Sequence, residues 1–208
     1  MDWTGDVLMF DAKLRPLIDP PLNSVGRLLA SAGIGANMLT FTGLAIGLGG
    51  ATAIALGHLW VGLALIIANR LADGLDGAVA RASTPTALGG YFDIVADFAF
   101  YVSVPVGFGI LASENTLAAL VLVASFVLTG VSFLAFAVVA AERGVETQAH
   151  GKKSFFYSTG LAEGTETIAV FVAMCVFPAH FAVIAYAYSG LCVLTVFQRS
   201  AMALTTFR

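Results

Sequence analysis

The chain has 208 residues, 59% of them hydrophobic and only 11% charged, with a net charge of −3. A soluble domain carries about 25% charged residues, so this composition excludes an ordinary soluble protein and marks an integral membrane protein. No basic cluster suggests nucleic acid, no repeat is visible, and Cys175 and Cys192 lie in apolar runs as packing residues rather than a disulfide framework.

Residues 1–35 form a first segment. It lacks a positive stretch followed by an apolar core and a cleavage site, so no cleaved signal peptide is expected. "DPPLNSVGRLLASAG" reads as a short amphipathic helix, with Asp19 as its cap and Pro20 in its first turn. Leu22, Val25 and Leu29 share a face, while Asn23 and Arg27 point elsewhere. Such a helix lies flat in the cytoplasmic interface; a plain linker is the alternative.

Residues 36–208 follow as an all-α transmembrane domain. A spanning helix needs about 20 mostly apolar residues, and six stretches qualify: Ala36–Leu56, Leu59–Val79, Gly89–Leu111, Leu117–Ala140, Phe156–Phe177 and Phe181–Leu204. Turn chemistry separates them, as in "LGHLW", "ASTPTALGG", "ASENT" and "FPAHF". With six spans, Lys13, Arg15, Arg27, Arg70, Arg81, Arg143, Lys152, Lys153, Arg199 and Arg208 all fall on one side. That side is cytoplasmic by the positive-inside rule, and both termini lie there. Gly43 and Gly47 in the first span have the spacing of close helix packing. His58, His150 and His180 sit in loops without a second ligand at metal spacing.

The second and third spans carry Asp73, Asp76, Asp93 and Asp97. Each bare carboxylate costs roughly 2.5–3.5 kcal/mol at the centre of a membrane helix. Asp73 and Asp76 are three residues apart, and Gly77 and Ala80 extend the same face. Gly89, Asp93 and Asp97 recur every four residues on the next span. A short loop makes the two spans antiparallel neighbours, so their acidic faces can meet near the cytoplasmic surface. Four such groups repel unless cations intervene, and Arg81 cannot neutralise all of them. Hard oxygen ligands suit magnesium, manganese or calcium. Two divalent ions would balance the charge and form a device for phosphate-ester displacement.

"DGLDGAVARASTPTALGGYFDIVAD" resembles the signature of the CDP-alcohol phosphotransferases, Asp-x-x-Asp-Gly-x-x-Ala-Arg, a gap, then Gly-x-x-x-Asp-x-x-x-Asp. Asp73, Asp76, Gly77, Ala80, Arg81, Gly89, Asp93 and Asp97 occupy its fixed positions. The gap from Arg81 to Gly89 holds seven residues where eight is commoner, a difference confined to the "STPT" loop. The resemblance implies a bacterial inner-membrane homodimer whose active site faces the cytoplasm. It implies transfer of a phosphatidyl group from CDP-diacylglycerol to a polar alcohol, releasing CMP, with two Mg²⁺ or Mn²⁺ ions. Asp73, Asp76 and Asp93 would hold the ions with Asp97 beside the second, and Asp97 would be the general base. Gly77, Ala80, Arg81 and Gly89 would receive the nucleotide. Asn37 and Thr40, in "GANMLTFTG", would contact nucleotide or phosphate, or else bond between helices. Two alternatives remain: a small CDP-alcohol donor with a lipid acceptor, and a cation or proton transporter.

The acceptor side is less defined. Lys152, Lys153 and Arg199 would suit an anionic acceptor, whereas Glu163 and Glu166 would suit an amine or polyol. The same residues can also pair with each other, and Arg199 can snorkel to the surface.

Overall fold

Apolar runs bounded by glycine, proline and polar turns give the chain seven helices in its described parts. The computed structural model describes residues 10–144 and 162–208, and of residues 10–17 only the backbone. The helices are α1 (Phe10–Ser31), α2 (Ala36–Ala55), α3 (Leu59–Ala82), α4 (Ala87–Leu111), α5 (Thr116–Glu142), α6 (Gly164–Val176) and α7 (Phe181–Thr206). Short 3₁₀ turns, Ser113–Asn115 and Pro178–His180, lead into α5 and α7.

Among the described residues, four segments are long and apolar enough to cross a membrane: Ala36–Ala55, Ala87–Leu111, Ser113–Glu142 and Pro178–Thr206. Helix α3 is 24 residues long, but Arg70, Asp73, Asp76 and Arg81 make it far more polar. The described part of the expected fifth span is α6, with 13 residues. Its expected beginning, from residue 156, lies outside the described residues, as do Lys152, Lys153 and His150.

The N-terminal helix differs from expectation. It begins at Phe10 and runs through Asp19, so Asp19 is not its cap. Pro20 and Pro21 lie within it, where each removes a main-chain donor. Packing against α3 accounts for its persistence. A side chain on Gly26 would meet Ala78, and one on Gly74 would meet Leu22. Val25, expected beside Leu22, is exposed, while Asn23, expected to point away, bonds to Arg81.

Helices α2, α3 and α4 pack closely through small residues. A Cβ on Gly47 would lie 2.6 Å from the Phe100 ring, and one on Gly107 would lie 2.6 Å from the Ala51 carbonyl oxygen. Close backbone approach of this kind supplies van der Waals contact where lipid offers no hydrophobic driving force. Beyond it, Phe100, Phe108, Phe171 and Phe181 are fully buried. Phe108 and Phe181 stack with centroids 4.7 Å apart, and Phe100 meets Phe171 edge-on at 6.0 Å. Each such pair contributes about 0.5–1.5 kcal/mol beyond burial. This aromatic core ties α4 to α6 and α7 and leaves the ends of α3 and α4 free to form a site.

Candidate active site

Helix α3 ends at Ala82 and α4 starts at Ala87, so the two run antiparallel from one short loop. Thr86 caps α4, its Oγ1 accepting from the Gly89 amide at 3.0 Å. Asp76 lies six residues before the end of α3 and Asp93 six residues after the start of α4. At 1.5 Å per residue both sit about 9 Å along their helices. Asp73 and Asp97 come next, nine and ten residues in, or about 14–15 Å.

Asp73, Asp76 and Asp93 each offer a carboxylate oxygen, and these oxygens lie within 4.8 Å of one another. Asp76 is buried, while Asp73 and Asp93 remain partly open. The Thr40 hydroxyl donates to Asp76 Oδ2 at 2.7 Å, fixing that carboxylate from α2. Three converging hard oxygens, one already oriented by a neutral donor, fit a divalent cation.

Asp97 is placed differently. Its Oδ1 accepts from Arg70 Nη1 at 3.0 Å, and the same nitrogen is 3.5 Å from Asp73 Oδ2. Arg70 also donates from Nε to Asn69 Oδ1 at 2.7 Å, and from Nη1 to the Tyr101 hydroxyl at 3.3 Å. Its charge faces the Phe100 ring with 4.4 Å to the centroid. Arg70 was expected with the other basic residues on the cytoplasmic side of its span. It sits instead 12 residues inside α3, about 18 Å from the end. The cation among the acids is therefore Arg70. Arg81 is exposed and turns to α1, donating from Nη2 to Asn23 Oδ1 at 2.9 Å. The three-residue spacing of Arg70 and Asp73 was the available signal; it puts both on one helical face.

The remaining candidates gather around this centre. Gly77 borders Arg81: a Cβ there would be 3.2 Å from Arg81 Nη1. Ala80 is half-buried on the same stripe. A Cβ on Gly89 would lie 3.1 Å from Asn37 Oδ1, so glycine permits close approach of α4 to the start of α2. Thr40, Asn69, Arg70, Asp73, Asp76 and Asp97 all line one narrow pocket.

A second polar region surrounds the start of α6. The Glu163 carbonyl accepts from the Thr167 hydroxyl at 2.7 Å, and that hydroxyl lies 2.7 Å from the Tyr188 hydroxyl. The Ala162 amide donates to Thr195 Oγ1 at 2.9 Å. Glu166 lies in the first turn of α6. Arg199 is buried rather than snorkelled, and donates to the Thr129 carbonyl at 2.9 Å and Ser132 Oγ at 3.3 Å. A Cβ on Gly164 would stand 3.3 Å from the Tyr101 hydroxyl, so this region adjoins the Arg70 cluster.

An acidic metal-competent pocket between antiparallel membrane helices defines a class of membrane enzyme that handles phosphate esters. The chain belongs to the CDP-alcohol phosphatidyltransferase family, whose model matches residues 34–206. It is thus a transferase of phospholipid biosynthesis, which decides against the transporter alternative. It is 46% identical over 192 residues to the inner membrane protein YnjF of Escherichia coli (strain K12), covering 92% of this chain and 93% of that one. It is 34% identical over 87 residues to the archaetidylinositol phosphate synthase of Pyrococcus horikoshii, covering 41% and 46%. In fold it matches the Mycobacterium tuberculosis phosphatidylinositol phosphate synthase PgsA1. The structure of that protein with CDP-DAG bound gives a TM-score of 0.64 at 22% identity, covering 86% of this chain and 92% of that one. Its complex with manganese and citrate also gives 0.64 at 22% identity, covering 88% and 89%.

Proposed function

We propose that the protein transfers a phosphatidyl group from CDP-diacylglycerol to the hydroxyl of a polar alcohol and releases CMP. The observation that carries this reading is the convergence of Asp73, Asp76 and Asp93 within 4.8 Å, from two antiparallel helices, at the family's signature positions. The solved relative with CDP-DAG bound supports the choice of donor. The manganese complex of the same relative supports a divalent ion.

Asp73, Asp76 and Asp93 would hold two Mg²⁺ or Mn²⁺ ions, with Asp97 beside the second. Bound ions supply charge neutralisation of the donor pyrophosphate and polarisation of the phosphorus–oxygen bond. The protein's own groups do the rest. Thr40 keeps Asp76 aimed at the cluster. Gly77, Ala80 and Gly89 leave room beside it for the nucleotide, with Arg81 and Asn37 at the edges. Asp97 takes the proton of the acceptor hydroxyl while that oxygen attacks the phosphatidyl phosphorus. Lys152, Lys153, Glu163 and Glu166 serve the acceptor, and the start of α6, which carries Glu166, adjoins Tyr101; Arg199, bonded to Thr129 and Ser132, serves helix packing instead.

We place the protein as six spans with both termini and the site facing the cytoplasm, in a bacterial inner membrane and as a homodimer. The distribution of basic residues along the chain and the inner-membrane relative support this placement. The decisive experiment incubates purified protein with radiolabelled CDP-diacylglycerol, Mg²⁺ and a panel of polar alcohols. CMP and a new phospholipid should appear together with one acceptor. Release of CMP only from a small CDP-alcohol with a lipid acceptor would reverse the proposed direction of transfer.

A further inference from the structure

Arg70 lies outside the signature that reveals the acidic pocket, yet it forms the pocket's floor. It stands one helical turn deeper than Asp73 on α3. Its side chain is held at several points. Nε is fixed by Asn69 Oδ1 at 2.7 Å, and Asn69 is fixed in turn by donating Nδ2 to the Gly43 carbonyl at 2.8 Å. The guanidinium carbon lies 4.4 Å from the Phe100 ring centroid and 5.3 Å from that of Tyr101, two neighbouring rings whose centroids are 5.5 Å apart. With Nε tied to Asn69 and the two rings beside the guanidinium, Nη1 meets Asp97 Oδ1 at 3.0 Å. A cation needed only for its charge would not require this mounting. A lysine, with a point charge and no planar fork, would not reproduce it.

We infer that Arg70 is a positioning residue for the transfer reaction. It grips Asp97 by Oδ1 and so presents Oδ2 to the acceptor hydroxyl. The inference rests on the proposed role of Asp97 as base. In the step it serves, the acceptor O–H proton passes to Asp97 Oδ2. The acceptor oxygen bonds to the phosphatidyl phosphorus, and the bond from that phosphorus to the CMP oxygen breaks, its electron pair leaving with CMP. Asp97 and Arg70 line the same pocket as Asp73 and Asp76, and the Asp97 side chain keeps 30% of its surface exposed against 18% for Arg70. An ion pair that served only to join α3 to α4 would have no need to stand in the acidic pocket.

The test uses the full chain in lipid nanodiscs, with Arg70→Gln, Arg70→Lys, Arg70→Ala and Asp97→Asn. CMP release is measured against both substrates, and Mn²⁺ affinity is titrated by electron paramagnetic resonance. Arg70→Gln should lower kcat about 10- to 100-fold, part of the roughly 10²–10⁴-fold that a well-placed general base contributes. Donor KM should stay within about threefold, and Mn²⁺ should bind at least as tightly, because a neighbouring positive charge has gone. Arg70→Lys should recover only part of the loss. Added guanidinium should restore turnover to Arg70→Ala but not to the Arg70→Ala, Asp97→Asn double variant. Parental kcat in Arg70→Gln, a loss explained wholly by weaker Mn²⁺ binding, or no guanidinium rescue beside normal Mn²⁺ binding would each overturn the inference. Full activity in Asp97→Asn would overturn the base assignment itself. An inactive Asp97→Asn beside a fully active Arg70→Gln would remove the role of Arg70 alone.

Discussion

Arg70 and Arg199 both carry a guanidinium into an apolar helix, and the structure uses them in different ways. Arg199 on α7 reaches the Thr129 carbonyl and the Ser132 hydroxyl of α5, with Phe133 under its charge. Those contacts join two long apolar helices. Arg70 reaches two carboxylates, one of them a candidate metal ligand and the other the candidate base. A buried cation that bonds neutral acceptors of a neighbouring helix can fasten the two together, whereas one mounted among acids sets the charge and orientation of a pocket. What a buried arginine contributes therefore follows from its partners, not from its depth.

The largest effect should come from the candidate metal ligands of the acidic pocket. Asp76→Asn should weaken Mn²⁺ binding and CMP release by at least about 100-fold, beyond the 10- to 100-fold range for groups behind the ligands. A titration followed by turnover measurement checks it. Parental Mn²⁺ affinity would detach the acidic face from metal binding and dissolve the contrast between the two arginines.

Next in size is Thr40→Val, which removes the donor to Asp76 Oδ2 but keeps the shape of the side chain. Mn²⁺ affinity should fall about tenfold with little change in thermal midpoint. Arg199→Met, by contrast, should act on stability. It leaves the Thr129 carbonyl and Ser132 hydroxyl without this donor, at about 1–3 kcal/mol, and the midpoint should drop while acceptor KM holds. A raised acceptor KM at unchanged midpoint would move Arg199 to the functional side and break the comparison. The smallest effect is expected from Asn23→Ala. Loss of its exposed hydrogen bonds to Arg81 should raise donor KM about two- to fivefold, corresponding to about 0.5–1 kcal/mol.

Much of this architecture was legible along the chain. Helix α2 was expected to start at Ala36 and does; α4, α5 and α7 lie within two residues of their expected ends. The meeting of Asp73 and Asp76 with Asp93 follows from helical spacing and one short loop. The N-terminal helix was misjudged because Asp19 and Pro20 form a good local start signal. Packing of Leu22 and Gly26 against α3 favours a helix that continues through it. Asn23, off the apolar stripe, finds its partner in Arg81 on another helix, which the local period does not reveal.

The sequence by itself determined the elements and the acidic stripe, since hydrophobic run length and a 3.6-residue period are local properties. Tertiary structure alone decided that Arg70, not Arg81, enters the acids, that Thr40 braces Asp76, and that Arg199 joins α5 to α7. Each of these choices depends on which side chain a neighbouring helix presents at bonding distance. Residues 36 positions apart, like Thr40 and Asp76, acquire that relation only when the helices pack.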